Sequence, residues 1–375
     1  MKILLISSCA LPTPGLDYSG LENVVATLAV ELAKKGNEVT LISAQGSNMK
    51  GNFRITSTDG QTMGTVSTIE TIPPSWDGDA EFRHYQGYKD LLENEFSDGK
   101  SVVVDHTWAM FSYLSLVGSK KFGIHPHPEM KIHHVHHGII QATHPPPAKY
   151  PRFIGLSKAH AAYMSNQLKI PVRHQWNGIL EPKQEVIDFA KANDEGYILS
   201  LNRITDEKGI HNAIDICASQ RLPILVVGDD TLVRSQKYVA QIIKQCRALG
   251  DLAKYYGLVD NYTKLELLKR CKAVITCPLP TWLEGFGLAA AESAMLGKPC
   301  IATANGGLTE IIEHGKTGFL ASTPERLKDF MGSLDTIDKD ACIARFRENF
   351  TSVKMGERYH EMLQGTLSDV PDFRW

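Results

Sequence analysis

Residues 284–292 read E-G-F-G-L-A-A-A-E and set two carboxylates, Glu284 and Glu292, eight positions apart with two glycines between them. The spacing predicts a loop around Glu284 and a helix that follows, carrying Glu292 in its first turns. A helix N-terminus gathers unpaired N–H groups and the positive end of a macrodipole, and Gly285 and Gly287 let a phosphate come close to the main chain. A carboxylate at such a place is no ligand for phosphate. Glu284 and Glu292 are therefore read as acceptors for hydroxyls on either side of the phosphate, which holds a nucleotide sugar by its sugar and by its ribose. The plainer alternative is one glutamate favoured by the dipole and one solvated on the helix.

Other candidate chemistry lies in loops that follow predicted strands. After Y-I-L-S-L comes N-R-I-T-D-E-K-G, in which Arg203 and Lys208 flank a turn into a helix. Two cations beside a helix N-terminus neutralise a departing diphosphate; a solvated surface loop is the other reading. Gly228 and Gly257 end further strands, and Asn305-Gly306-Gly307 with Glu310 closes another and opens a helix. In the first half, the loop at 7–22 is too long and too poor in glycine for G-x-G-x-x-G, which disfavours a nicotinamide dinucleotide. Gly20, just before a helix, still offers its N–H to phosphate. Asp105-His106 ends a strand, and seven histidines fall between His125 and His144. Alternating pairs among His133, His134, His136 and His137 invite a zinc reading, which the absence of a nearby cysteine and the scarcity of carboxylates disfavour. The preferred role is a hydrogen bond from His137 to a transferred sugar, with His136 the rival because a one-residue slip reverses its face.

Two successive runs of alternating elements carry these loops. A strand at 2–8, a helix from Leu21 stopped by Gly36, a strand at 38–43, a helix at 81–96 and strands at 101–105, 131–135 and 153–156 give the rhythm of a doubly wound parallel sheet. The pattern restarts at Gly196 after a polar bridge at 181–195. Strands at 197–201, 224–227, 254–257, 273–276 and 299–303 alternate with helices near 210–218, 235–247, 264–270 and 288–295. A segment at 346–365, with Met355, Tyr359 and Leu363 at helical spacing, lies beyond the last strand. The expected fold is α/β, two Rossmann-like doubly wound domains facing across a cleft at the carboxyl ends of their strands. The expected domains are 1–173 on the acceptor side and 174–345 on the donor side.

Composition bounds the partners. At 375 residues, the chain exceeds the size at which one core keeps growing. Lys plus Arg number 40 against 42 Asp plus Glu, so no global field recruits nucleic acid. The seven cysteines form no C-x-x-C pair and read as reduced core residues of a cytoplasmic protein. No apolar run has the length of a signal peptide or a membrane span. Lys120-Lys121 is a candidate for peripheral contact with the inner membrane face, against the ordinary reading of a solvated turn.

Taken in order, R-I-T-D-E-K-G (203–209), the strand-ending glycines, E-G-F-G-L-A-A-A-E, L-G-K-P-C-I-A-T (296–303), N-G-G-L-T-E-I-I (305–312) and G-K-T-G-F-L (315–320) resemble retaining glycosyltransferases of family 4 with the GT-B fold. In the first half, S-G-L-E-N-V, D-H and H-H-G look like that family's glycine loop and histidine positions. The resemblance implies that Arg203 and Lys208 bind the donor diphosphate and that Glu292 holds the ribose. Glu284 with the backbone of Gly285, Phe286, Gly287 and Leu288 would hold the donor sugar, and backbone near Leu258 would meet the base. Gly20 would contact phosphate from the opposite domain, although Ser19-Gly20 replaces the family's usual glycine pair. His137 would sit near the reacting centre, and a terminal helix within 346–375 would cross back to the first domain.

The expected activity is transfer of a sugar from a nucleoside-diphosphate sugar to an acceptor hydroxyl with retention at the anomeric carbon. Neither a metal nor a cofactor beyond the donor is called for. Catalytic roles fall to His137, Arg203, Lys208 and Glu284, and the acceptor is a glycan, a lipid-linked sugar or a small molecule. A nucleotide-sugar epimerase and a non-catalytic nucleotide-sugar binder are the rivals.

Overall fold

The computed structural model describes residues 1–15, 19–49, 51–58, 76–108, 110, 112, 130–140, 152–183, 195–231, 233 and 235–367. Lys120-Lys121, the triple proline at 145–147, His125, His127, His144 and most of the polar bridge lie outside these residues. The chain divides into two units. Among the described residues, unit 1 takes those up to Gly178 and again those from Ser352; unit 2 takes Ile179–Thr351.

Unit 1 is a seven-stranded parallel sheet in the order β3-β2-β1-β4-β5-β6-β7, with β1 Lys2–Ile6, β2 Glu38–Ala44, β3 Arg54–Thr58, β4 Val102–Asp105, β5 Lys131–Val135, β6 Arg152–Gly155 and β7 Arg173–His174. The sequence of β1, KILLI, is apolar on successive residues rather than alternate ones, as a strand covered on both faces must be. It pairs in parallel with β2 and with β4, Ile3 lying opposite both Val39 and Val102. Helices α1 Gly20–Lys34, α2 Trp76–Glu95 and α3 Lys158–Leu168 accompany the sheet. Along α1, Val24, Val25, Leu28 and Leu32 recur on one buried face. Tyr85, Tyr88 and Leu92 of α2, with Phe96 just beyond it, pack on Leu4, Ile6, Ile42 and Val103 of the strands.

Unit 2 is a six-stranded parallel sheet in the order β10-β9-β8-β11-β12-β13. Its strands are β8 Ile198–Leu201, β9 Ile224–Val227, β10 Ala253–Gly257, β11 Ala273–Thr276, β12 Cys300–Thr303 and β13 Gly318–Ala321. The helices are α4 Ile210–Ser219, α5 Gln236–Leu249, α6 Asn261–Arg270, α7 Leu288–Met295, the short α8 Leu308–Ile311 and α9 Lys339–Asn349, with a 3₁₀ stretch at Pro324–Thr336. Side-chain caps fix several starts: Ser235 accepts from the Tyr238 N–H, and Asp260 from the Thr263 N–H at 2.7 Å. Both units reverse strand order beside their first strand, so each is a Rossmann-like doubly wound sheet. In each, all carboxyl ends share one edge.

Several elements differ from the sequence expectation. β3, α3, β7, β13, the 3₁₀ stretch and α9 were not foreseen, and the predicted strand at 2–8 ends at Ile6. The single segment expected at 346–365 is broken: α9 ends at Asn349, and a new helix, α10, covers Ser352–Leu367. The break coincides with Phe350, fully buried against Phe286, whose N–H still reaches back to Phe346. Thr351 forms an isolated parallel bridge with Ile179, so the points where the chain enters and leaves unit 2 lie side by side. Among the described residues, no helix is long and apolar enough to cross a membrane.

Helix α10 packs on α1 and buries Met355, Tyr359 and Leu363 almost completely. Emptying one of these sites leaves a cavity that a packed helix pair cannot close. Leu363→Ala is expected to lower the unfolding free energy by about 2–5 kcal/mol, measured by urea denaturation; a loss within error would mean that α10 does not brace unit 1.

Candidate functional site

At the carboxyl edge of unit 2, the loops are hydrogen-bonded to one another as well as to their own strands. The Asn202 N–H meets the Val227 carbonyl, Ile204 meets Asp229, and the Gly228 N–H meets the Gly257 carbonyl at 2.9 Å. Thr303 donates to the Pro278 carbonyl at 3.2 Å. Two left-handed glycines make close crossings possible. At Gly209, with φ +60°, an added Cβ would lie 2.0 Å from the Cys277 carbonyl oxygen, and at Gly306, with φ +52°, 2.0 Å from that of Glu284. Asn305 completes the lock, accepting from the Glu284 N–H at 2.9 Å and donating to the Trp282 carbonyl at 2.8 Å.

This edge holds every unit 2 residue singled out in the sequence. After β8, a 3₁₀ turn at Asp206–Lys208 and a left-handed Gly209 lead into α4, and the turn aims Lys208 at Glu284. Lys208 Nζ and Glu284 Oε2 are 2.6 Å apart, each side chain 14% exposed. Arg203 is more open, with Nη2 3.8 Å from Glu207 Oε1. Its Nε is buried without an acceptor among the described residues, as is Trp282 Nε1 two residues before Glu284. A buried N–H left unpaired costs about 1–3 kcal/mol, so both are positioned to gain from an incoming oxygen. Gly285 lies in the loop, Phe286 buries its ring, and Gly287 occupies the N-cap of α7, where no side chain caps the Leu288 end.

Glu292 sits in the second turn of α7 with Oε1 2.7 Å from Lys264 Nζ. The sequence reading missed Lys264. Its partner lies 28 residues away on another helix, a distance no local pattern reports. Leu258 stands 44% exposed in the loop from β10 to α6. The two glutamates therefore differ from bare acceptors: each has one oxygen held by a lysine from another element.

The carboxyl edge of unit 1 is built differently. Gly20 is the first residue of α1 rather than the one before it, is exposed, and follows Ser19 at the N-cap position. Ser8 and Ser19 both donate to the buried carboxyl of Glu22, whose pKa burial raises against those two hydrogen bonds. His137 lies just beyond β5, partly exposed, with Nε2 2.9 Å from His106 Nδ1. His136 is buried and turns its Nδ1 towards His134 Nε2 at 3.4 Å. Trp108 touches both rings, and its backbone N–H donates to the buried Glu81 at 2.8 Å. Among the described residues, no group of three His, Cys, Asp or Glu side chains is arranged to hold a metal ion.

Burial sets the charge of these histidines. It pushes His106, His133 and His136 down to about 3 and His84 to about 4, and it lowers His137 well below its ordinary value. All are neutral in the fold near neutral pH. An unfolded chain takes up protons near 6.5, so below that point the unfolded state binds more protons and stability falls with pH. Glu22, raised instead, acts in the opposite sense but is one group against several. The unfolding free energy from urea titration is expected to drop between about pH 8 and about pH 5, by up to about 1.4 kcal/mol per pH unit for each histidine, and the midpoint with it. A midpoint that is unchanged or higher at the acid end would contradict the neutral cluster.

Residues 183–351 match the family model described as glycosyl transferases group 1, a span that covers nearly all of unit 2 and just under half of the chain. Over that span unit 2 is similar to the family. The chain is 23% identical over 223 residues to O-antigen chain mannosyltransferase C of Escherichia coli, covering 56% of this chain and 58% of the relative. The chain spans about half the length of the curated relatives it matches. Among solved structures, AviGT4, a glycosyltransferase involved in avilamycin A biosynthesis, is similar with a TM-score of 0.71 and 19% identity, covering 99% of both chains. Anabaena HepE, determined in complex with UDP-glucose, gives 0.67 and 16%, covering 97% of this chain and 100% of that one. At such identities, the likeness shows the fold alone, two Rossmann-like α/β units.

Proposed function

We propose that the protein moves a sugar from a nucleoside-diphosphate sugar to an acceptor hydroxyl, as a retaining glycosyltransferase of family 4, with unit 2 holding the donor. The observation that carries this reading is the Lys208–Glu284 contact of 2.6 Å beside the glycine-led start of α7. An ammonium has three donors. One spent on Glu284 leaves others for diphosphate oxygens, so a single side chain ties the leaving group to the carboxylate assigned to the sugar.

Arg203 adds a second cation, and its buried, unpaired Nε supports a role for an incoming phosphate oxygen. The main chain at Gly285, Phe286, Gly287 and Leu288 supplies amides at a helix N-terminus. Glu292 takes the ribose hydroxyls, and backbone at Leu258 takes the base. For unit 1, the proposal assigns the Gly20 N–H to a phosphate oxygen and His137 to a hydrogen bond with the transferred sugar. A neutral His137 suits that task, because it accepts or donates without adding charge near the reacting carbon. The E. coli relative's name as a mannosyltransferase and the UDP-glucose bound in HepE support the substrate class.

In the reaction, the bond between the anomeric carbon and the phosphate oxygen breaks, and its electron pair leaves with the diphosphate. The acceptor oxygen bonds to that carbon from the same face, and its proton passes to the departing phosphate. Preorganised charge from Lys208, Arg203 and the α7 amides stabilises the leaving group, a duty that in this proposal needs no divalent metal.

Lys208→Ala is expected to lower kcat by about 10²–10³-fold, followed by release of nucleoside diphosphate in the presence of acceptor. Near-normal turnover would remove the role given to Lys208. Chelator is expected to leave wild-type turnover unchanged, and a loss restored by added magnesium would refute metal independence.

A further inference from the structure

We infer that Lys264 is a positioning residue for nucleotide recognition: it holds Glu292 by one carboxylate oxygen and so aims the other at the ribose hydroxyls. The inference rests on the donor site proposed for unit 2 and adds to it a residue from a different helix. Lys264 Nζ lies 2.7 Å from Glu292 Oε1, with the two side chains 16% and 17% exposed. Many of the lysine–acid pairs elsewhere join neighbours one helical turn apart at the surface, as Lys354 does with Glu357 and Lys316 with Glu313. The Lys264 pair instead crosses from α6 to α7.

Stability is a weak reason for such a pair. Drawing two charges partly out of water costs roughly what their attraction returns. What the contact does supply is direction. A glutamate has three rotatable bonds, and fixing one oxygen leaves the other a narrow arc to face. The place of Lys264 in the chain gives that direction a meaning. The loop with Leu258 leads straight into α6, whose start is pinned by Asp260 accepting the Thr263 N–H, and Lys264 follows immediately. The backbone assigned to the base and the carboxylate assigned to the ribose are thereby tied through a single side chain. A nucleoside then meets both at a fixed separation without ordering either on arrival, which is the advantage of a preorganised site.

Titration calorimetry of the full chain with UDP, GDP and ADP identifies the diphosphate it holds. That compound and its 2′-deoxy and 3′-deoxy counterparts are then compared in the wild type, Lys264→Met, Lys264→Arg and Glu292→Gln. The wild type is expected to prefer the ribonucleotide by about tenfold or more, the scale of a hydrogen bond to a charged acceptor. Lys264→Met should weaken the ribonucleotide by about tenfold and leave the weaker of the deoxy forms nearly unchanged, collapsing the preference. Donor KM should rise with kcat held, and Lys264→Arg should restore both. If Lys264→Met lowers the melting temperature but keeps the preference, the inference is overturned; a collapse in Glu292→Gln would leave the ribose assignment standing. If Glu292→Gln keeps the preference too, or none of the three diphosphates binds, the proposed donor site itself fails.

Discussion

The contact between Lys208 and Glu284 organises the rest of unit 2's working edge. Its two residues come from loops that follow β8 and β11, the neighbouring strands at which the sheet's order reverses, where a doubly wound sheet opens a crevice for ligands. Bringing a lysine and a glutamate to 2.6 Å there requires the loops to run closer than side chains with a Cβ allow. Gly209 against Cys277 and Gly306 against Glu284 supply that approach. Asn305 then fixes the Glu284 backbone from a third loop. The pair, the glycines and the asparagine are one constraint seen from three loops.

The two units solve the problem of polar groups at a sheet edge by opposite means. Unit 2 places partly buried cations against carboxylates, at Lys208–Glu284 and again at Lys264–Glu292. Unit 1 leans on neutral groups: burial lowers the pKa of His106 and His137, and a hydrogen bond links the two rings. The first arrangement suits a ligand with phosphates and hydroxyls, while the second suits contacts to a neutral sugar and carries a penalty in acid.

The sequence made much of this legible where local chemistry decides the outcome. Strands β9 and β11 and helix α7 are read to the residue, because apolar runs bounded by glycine and charge leave little choice of ends. Glu284 in a loop and Glu292 on a helix follow from the same logic. Elements that depend on distant partners were hidden. β13 is four residues whose identity as a strand comes from pairing with β12, and the break after Asn349 comes from burying Phe350 against Phe286. β7 is two residues long and exists only beside β6. Lys264 escaped notice for the same reason, since a lysine in a helix reads as solvated until the tertiary fold puts a carboxylate against it.

The central claim is that Lys208 and Glu284 act as one device, joining leaving group to sugar. A double-mutant cycle on kcat/KM for sugar transfer, using Lys208→Met, Glu284→Gln and the two combined, measures that directly. The account predicts strong coupling, with the double variant losing little more than the worse of the two single variants. Losses that multiply across the two changes would show that the residues work independently and would contradict it.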